Sequence, residues 1–141
     1  MTYATIKHFD KHINKLKHLC GGLGLQLISK DWVDSSAYDY HFRTIKIDAE
    51  LEDVEYLSTF LHELGHAVAE LSTSKHKCKI QWKAYTKYYK NKHTKRQYFI
   101  VRQCEIEAWN VGANIAKMLK IPLGKWFYTE RRLNLASYTY R

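Results

Sequence analysis

Hydrophobic residues recur at helical spacing in three parts of this chain and alternate with polar residues in two others. The helical spacing predicts amphipathic helices over residues 3–19, about 50–71 and about 97–120. Alternation predicts strands over residues 23–27 and 38–48. Since both kinds of element occur and the strands are few, we expect an α+β fold with a small antiparallel or mixed sheet.

Local signals support the ends of these elements. A glycine pair at 21–22 ends the first helix, and acidic residues within 50–55 suit the positive end of the second. Pro122 lies just beyond the third helix, which it cannot continue. Residues 82–90 indicate a short basic helix, and the aromatic tail at 123–141 is expected to pack against the rest of the chain.

Length and composition favour one globular domain, residues 1–141, with its own core. The three cysteines, Cys20, Cys78 and Cys104, form no CxxC pair, which argues against a disulfide framework and against a cysteine-based zinc site. Reduced thiols indicate a cytoplasmic protein. No signal-peptide core and no run of about 18 apolar residues occurs, so we expect neither general export nor a membrane span.

Positive charge is concentrated in the second half of the chain. Residues 1–70 contain 7 Lys/Arg and 11 Asp/Glu, whereas residues 71–141 contain 16 and 3. Between Glu70 and Glu105 there are ten Lys/Arg, no acidic residue and several aromatic residues. This basic block, residues 75–102, is compatible with contact to nucleic acid, with an acidic protein partner, or with a solvated surface whose aromatic side chains pack inward.

The second predicted helix contains the motif His62-Glu63-Leu64-Gly65-His66. Side chains four residues apart lie on one face of a helix about 6 Å apart, close enough for both imidazoles to bind one zinc ion. Glu63 is rotated by about 100° from His62, so it is placed to act as general base on a water at the open metal position. Gly65 costs about 1 kcal/mol relative to alanine, which close approach of the backbone to the metal, or loose packing, would explain.

A catalytic zinc site usually has three protein ligands, so one more ligand is required. A third histidine is absent where a longer motif would place it, because position 72 is Ser72. The third predicted helix instead offers Glu105 and Glu107, which flank its apolar face on opposite sides. Either carboxylate would complete a His₂Glu site, and helical geometry alone leaves both candidates open.

Three segments of the chain resemble the compact ImmA/IrrE-type gluzincins of bacteria, phages and mobile elements. They are TIKID at 44–48, STFLHELGHAVAE at 58–70 and EIEAWNVGANIAKMLKIP at 105–122. The resemblance implies a zincin-like fold, with a small sheet packed on an active-site helix and a second ligand-bearing helix. It also implies Zn²⁺-dependent hydrolysis of a protein or peptide substrate. The family's third ligand maps to Glu107, which leaves Glu105 as a substitute or as a partner that orients a histidine.

The same resemblance implies that the strand through Ile45 and Ile47 forms the edge of the active site and pairs with an extended substrate. A polar side chain that stabilises the transition state is also expected. The candidates are the following residues: Tyr128, Tyr138, His76 and His93.

Two other readings of the sequence remain open. His76 as the third ligand would make the chain similar to SprT-like proteases, which act on DNA-bound proteins and carry a histidine ligand downstream of HExxH. The basic block at 75–102 suits a DNA partner of that kind. A non-enzymatic, basic nucleic-acid-binding module with a degenerate or structural metal site is the third hypothesis.

Overall fold

The computed structural model describes residues 6–31 and 36–140, and these residues form five helices and three short strands. The elements are α1 (Phe9–Gly22), β1 (Gln26–Lys30), β2 (Ala37–Asp39), β3 (Thr44–Asp48), α2 (Asp53–Leu71), α3 (Lys75–Tyr89), α4 (Lys95–Met118) and α5 (Lys125–Ser137). The predicted α+β class is confirmed. Residues 3–5 of the first predicted helix lie outside the described residues.

The sheet is mixed, with strand order β1-β3-β2. β1 pairs parallel to β3, and β2 pairs antiparallel to it on the other side. Ile45 and Ile47 are fully buried in β3, which packs against α2. The expectation that this strand forms the edge of the active site is therefore wrong, because both of its edges are already paired. Among the described strands, the outer position on that side of the sheet belongs to β2.

The predicted strand over residues 38–48 is in fact a hairpin. Asp39 turns the chain by accepting hydrogen bonds at Oδ1 from the backbone N–H groups of His41 (2.9 Å) and Phe42 (3.2 Å). Arg43 then adopts a left-handed conformation with φ of 50°. An aspartate that bonds the backbone two residues on is a recognised turn former, although the surrounding alternation of polar and apolar residues hides it.

Helix ends follow capping chemistry that periodicity alone does not reveal. Ser74 accepts a hydrogen bond from the N–H of Lys77, so α3 begins seven residues before the predicted basic helix. Thr94 and Gln97 form a reciprocal capping box at the start of α4. The predicted packing of the tail is confirmed, since α5 buries Phe127 completely.

Helix α2 lies at the centre of the molecule and packs against α1, α4, α5, β2 and β3. Its buried face includes Leu57, Leu61 and Leu64, which are fully excluded from solvent. Core residues of α1, the sheet and α5 surround it. Among the described residues, no helix is both long enough and apolar enough to cross a membrane.

Helices α2 and α4 cross in direct backbone contact. A Cβ atom on Gly65 would collide with the carbonyl oxygen of Ala108, and one on Gly112 would lie 2.6 Å from the carbonyl oxygen of Leu61. Each helix therefore needs a glycine where the other passes, and the close approach expected of Gly65 is to α4 rather than to a metal. This contact fixes which residues of α4 face the histidines of α2.

Candidate metal centre

His62 and His66 lie one turn apart on α2 and converge on a single carboxylate. Their ring centroids are 4.7 Å apart. Nε2 of His62 lies 3.2 Å from Oε1 of Glu105, and Nε2 of His66 lies 2.7 Å from Oε2 of the same residue. The predicted pairing of the two histidines on one helix face is therefore present, and α4 supplies a third donor between them.

The carboxylate that reaches the histidines belongs to Glu105. The resemblance to the family instead assigns the third ligand to Glu107. Glu105 is almost completely buried at the crossing, 2% exposed. Glu107 lines the same cavity, but it makes no ion pair with any residue that the structure describes. The positions of the two residues around the axis of α4 explain this difference. Glu105 precedes Gly112 by seven residues and lies on the same face of the helix, whereas Glu107 is rotated from that face by about 140°.

The alternative ligand His76 lies outside this group. It is exposed in the first turn of α3 and does not line the cavity that holds the two α2 histidines. Of the four candidates for a transition-state donor, Tyr138 lines the cavity, whereas Tyr128, His76 and His93 do not.

The charges at the site depend on one another. Burial alone would raise the pKa of Glu105, but hydrogen bonds to His62 and His66 hold it well below its ordinary value. Burial alone would lower the pKa of His66, and the hydrogen bond and charge of Glu105 raise it instead. An ionised Glu105 thus attracts positive charge into the space between the two imidazoles.

Glu63 points into the same cavity but is not part of the three-residue group. Its Oε1 atom lies 3.8 Å from Nε2 of His62, and the residue is 8% exposed. Burial raises the pKa of Glu63 above its ordinary value, whereas the neighbouring His62 and His66 lower it. The carboxylate therefore lies beside the three-residue group, where the predicted role of a general base requires it.

Tyr85 on α3 is a site residue that the sequence analysis did not identify. Its hydroxyl group donates a hydrogen bond of 2.6 Å to Oε2 of Glu105. Burial, and then the charge of Glu105, raise the pKa of Tyr85 far above its ordinary value, so the hydroxyl group stays protonated and remains a donor. Tyr85 shares one face of α3 with Cys78, Trp82 and Tyr89, at spacings of seven, three and four residues.

Trp109 packs on His62 and connects the site to α5. The two ring centroids lie 4.4 Å apart, and the indole ring also contacts Phe127. The Nε1–H group of Trp109 donates a hydrogen bond of 2.9 Å to Oδ1 of Asn134. The indole therefore restricts the rotation of the His62 ring while its own polar atom is satisfied.

The site opens into a cavity of about 570 Å³ between β2, α2, α3 and α4. Its walls include the following residues: Ala37, Tyr38, Asp39, Trp82, Tyr89 and Tyr138. Cys78 and Cys104 also line it, and burial raises the pKa of both thiols, that of Cys104 to about 12. Neither thiol belongs to the group of side chains that converge between the two helices, which consists of His62, His66 and Glu105.

The donor set fits a zinc ion. One ligand atom from each of His62, His66 and Glu105 lies within 4.8 Å of the other two. Tetrahedral zinc, with bonds of about 2.1 Å, separates its ligand atoms by about 3.4 Å, which is close to the distances between these side chains. Three protein ligands leave one position open, and the side chain of His66 is 20% exposed at the cavity.

Comparison with known proteins provides no relative on which function could be based. No family model, curated protein or solved structure matches the chain. The resemblance to ImmA/IrrE-type gluzincins therefore stays a prediction from sequence, and function is inferred from the residues of the site.

Proposed function

We propose that this chain is a zinc-dependent peptidase, a hydrolase that cleaves a protein or peptide substrate. The observation that carries the proposal is the convergence of His62, His66 and Glu105 within one cavity, with the buried carboxylate of Glu63 beside them. In this proposal residues 1–141 form one zincin-like domain, in which the sheet packs on the active-site helix α2 and α4 bears the third ligand. Its reduced cysteines suit the cytoplasm.

His62, His66 and Glu105 would hold the metal in this proposal. When bound, zinc lowers the pKa of a water molecule and polarises a substrate carbonyl group. Glu63 accepts the proton of the attacking water and returns it to the amine that leaves. Tyr85 holds Glu105 in place through the hydrogen bond from its hydroxyl group. Trp109 holds the ring of His62 in place by packing against it.

The cavity suggests how an extended peptide would bind. β2 is an edge strand, and its residues Ala37, Tyr38 and Asp39 line the cavity opposite α3. The unpaired backbone groups of an edge strand can bond to an added peptide strand. Substrate pairing is therefore assigned to β2 rather than to the strand through Ile45 and Ile47.

Zinc content and proteolysis of four variants test this function. The variants are Glu63→Gln, Glu105→Gln, Glu107→Gln and His76→Ala, each compared with the wild-type chain using labelled casein as substrate. We expect about one zinc per wild-type chain, zinc without cleavage in Glu63→Gln, and loss of both in Glu105→Gln. Glu107→Gln is the matched control for Glu105→Gln, since the same chemical change two residues away should leave zinc in place.

Three results would contradict this assignment. Zinc lost in Glu107→Gln but kept in Glu105→Gln would restore the ligand set implied by the family resemblance. Zinc lost in His76→Ala would favour the SprT-like alternative. Zinc binding without any cleavage, by the wild-type chain as well as by Glu63→Gln, would favour a non-enzymatic module with a structural metal.

A further inference from the structure

The outward face of α3 carries a row of lysines at a spacing of four residues. We call Lys75, Lys79, Lys83 and Lys87 the lysine row; the first three are exposed and the last is half-buried. Residues four apart on a helix are about 40° apart around its axis, so the row winds through about 120° while it extends for about 18 Å at 1.5 Å per residue. It forms a continuous strip of positive charge.

Nothing in the described part of the chain neutralises this strip. Within residues 6–31 and 36–140, no lysine or arginine forms an ion pair with an acidic side chain. The nearest acidic residues in sequence are Glu70 and Glu105, and Glu105 is committed to the histidines of α2. The row is therefore free to attract an external anion.

The row also weakens the helix that carries it. Like charges four residues apart destabilise a helix by about 0.2–0.5 kcal/mol per pair. Cations at the positive end of a helix are unfavourable as well, and the first turn of α3 contains Lys75 and Lys77 but no acidic residue. The arrangement thus has a cost in folding, which an external ligand would offset.

One exposed aromatic ring lies beside the row, on the side that faces the cavity. Trp82 is 50% exposed, although it also lines the cavity wall. On the helical wheel, Trp82 is about 60° from Lys79 and about 100° from Lys83, whereas Tyr89 is about 120° from Lys83 and about 160° from Lys87 and stacks on Tyr85. A flat exposed ring beside a cationic strip is what an unstacked base requires.

We propose that this face of α3 binds single-stranded nucleic acid, with the phosphates along the lysine row and a base stacked on Trp82. Base stacking on this ring needs an unpaired base, which a duplex does not offer. An acidic protein would satisfy the lysines but would leave the ring without a matching flat partner. The exposed lysines are point charges without the forked donors that read base edges, so the binding is expected to be independent of sequence.

Fluorescence anisotropy with three labelled probes tests the proposal. The probes are a mixed-sequence DNA strand, the same strand annealed to its complement, and polyglutamate. We expect the single strand to bind most tightly and a chelator to have no effect, because the surface is independent of the metal. In the triple variant Lys75→Gln, Lys79→Gln, Lys83→Gln, affinity should fall at least about tenfold, and the slope of log affinity against log salt should decrease by about 2.

Further variants separate local contacts from net charge. Lys7→Gln, Lys11→Gln, Lys17→Gln removes the same charge from exposed positions at α1 and should weaken binding less than about threefold. Trp82→Ala should weaken single-strand binding about tenfold without changing the salt slope. Circular dichroism checks that each variant is folded.

Four outcomes would overturn the proposal. If the two triple lysine variants weakened binding equally, the effect would come from net charge and not from the lysine row. Duplex binding as tight as single-strand binding, with no effect of Trp82→Ala, would show that the Trp82 ring has no role in binding. Tighter binding of polyglutamate would indicate an acidic protein partner. No binding of any probe at low salt would show that the strip is merely solvated.

Discussion

The crossing of α2 and α4 and the outward face of α3 differ in what constrains their residues. At the crossing, Gly65 and Gly112 each leave just enough room for the backbone of the other helix. On α3, Lys75, Lys79 and Lys83 face solvent and make no ion pair with any described residue. A change at the crossing must displace a backbone, whereas a change on α3 meets only water.

Stability and function are related differently in these two regions. At the crossing, stability and chemistry are coupled, because the same contact that packs α2 on α4 brings Glu105 to His62 and His66. On α3 stability and binding are opposed, because the lysines that would bind a ligand also weaken the helix. Variants at the crossing should therefore lose stability and metal binding together, and variants of the lysine row should lose binding while they gain stability.

The largest effect is expected for Gly65→Ala at the crossing. Its Cβ atom would collide with the carbonyl oxygen of Ala108, and a backbone cannot move aside as a flexible side chain can. We expect the free energy of unfolding, measured in urea, to fall by about 3 kcal/mol or more. Zinc affinity should fall as well, since separation of the helices moves Glu105 away from the histidines.

The matched control is Gly21→Ala in α1, where an added Cβ atom meets nothing within 4 Å. The same substitution there should stabilise the protein by about 0.5–1 kcal/mol, because alanine has the higher helix propensity. Gly112→Ala approaches the crossing from the other side, at 2.6 Å from the Leu61 oxygen, and should be destabilising too. If Gly65→Ala behaved like Gly21→Ala, the close crossing would not exist in solution.

A smaller effect is expected for Tyr85→Phe, which joins the two regions because α3 reaches the metal site through this residue. The change removes the hydroxyl donor 2.6 Å from Oε2 of Glu105. A hydrogen bond to a charged group contributes about 1.5–3 kcal/mol, and loss of a residue that orients a metal ligand typically costs 10–100-fold in metal affinity. We therefore expect zinc affinity, measured by competition with a chelator, to fall about tenfold.

Tyr89→Phe serves as the control on the same helix. Tyr89 also lines the cavity, but its hydroxyl group lies 3.5 Å from that of Tyr138 and is not bonded to Glu105. This variant should bind zinc as the wild-type chain does. Equal affinities of Tyr85→Phe and Tyr89→Phe would mean that Glu105 is held in place without the help of α3.

The local part of the site could be predicted from sequence, and the part that depends on packing could not. The spacing of His62, Glu63 and His66 within one helix fixes the relative positions of their side chains. The motif alone was therefore enough to predict that the two histidines face each other. The choice between Glu105 and Glu107 depends on the rotation of α4 against α2. Gly112 is the one local sign of that rotation, because an isolated glycine inside a helix usually has a packing or functional reason, which here is the close approach of Leu61.

The fold shows the same division between local and non-local signals. Periodicity predicted α1, α2 and α4, whose apolar faces are regular. It failed for the first half of α3, where lysines interrupt a narrow buried face that begins at Cys78. Alternation predicted the first strand at 23–27, but β1 is Gln26–Lys30, so the two share only two residues. Strand pairing is not local, so neither the parallel β1–β3 pair nor the central position of β3 could be read from alternation.

The smallest effect is expected when the lysine row loses its charge, and its sign is the informative part. Replacing Lys75, Lys79 and Lys83 by glutamine removes three unfavourable pairs, counting that between Lys83 and Lys87, and one cation from the first turn. We expect the free energy of unfolding to rise by roughly 1 kcal/mol at low salt. In about 1 M salt, where screening acts over about 3 Å, the gain should largely disappear.

Arginine at the same three positions is the control, since it keeps the charge and should leave stability nearly unchanged at any salt concentration. Urea unfolding of the two triple variants at low and high salt makes the measurement. Destabilisation by glutamine would mean that the lysines support α3 through contacts of their own. A salt-dependent gain would instead show that α3 retains these charges against its own stability, which is the condition expected of a binding surface.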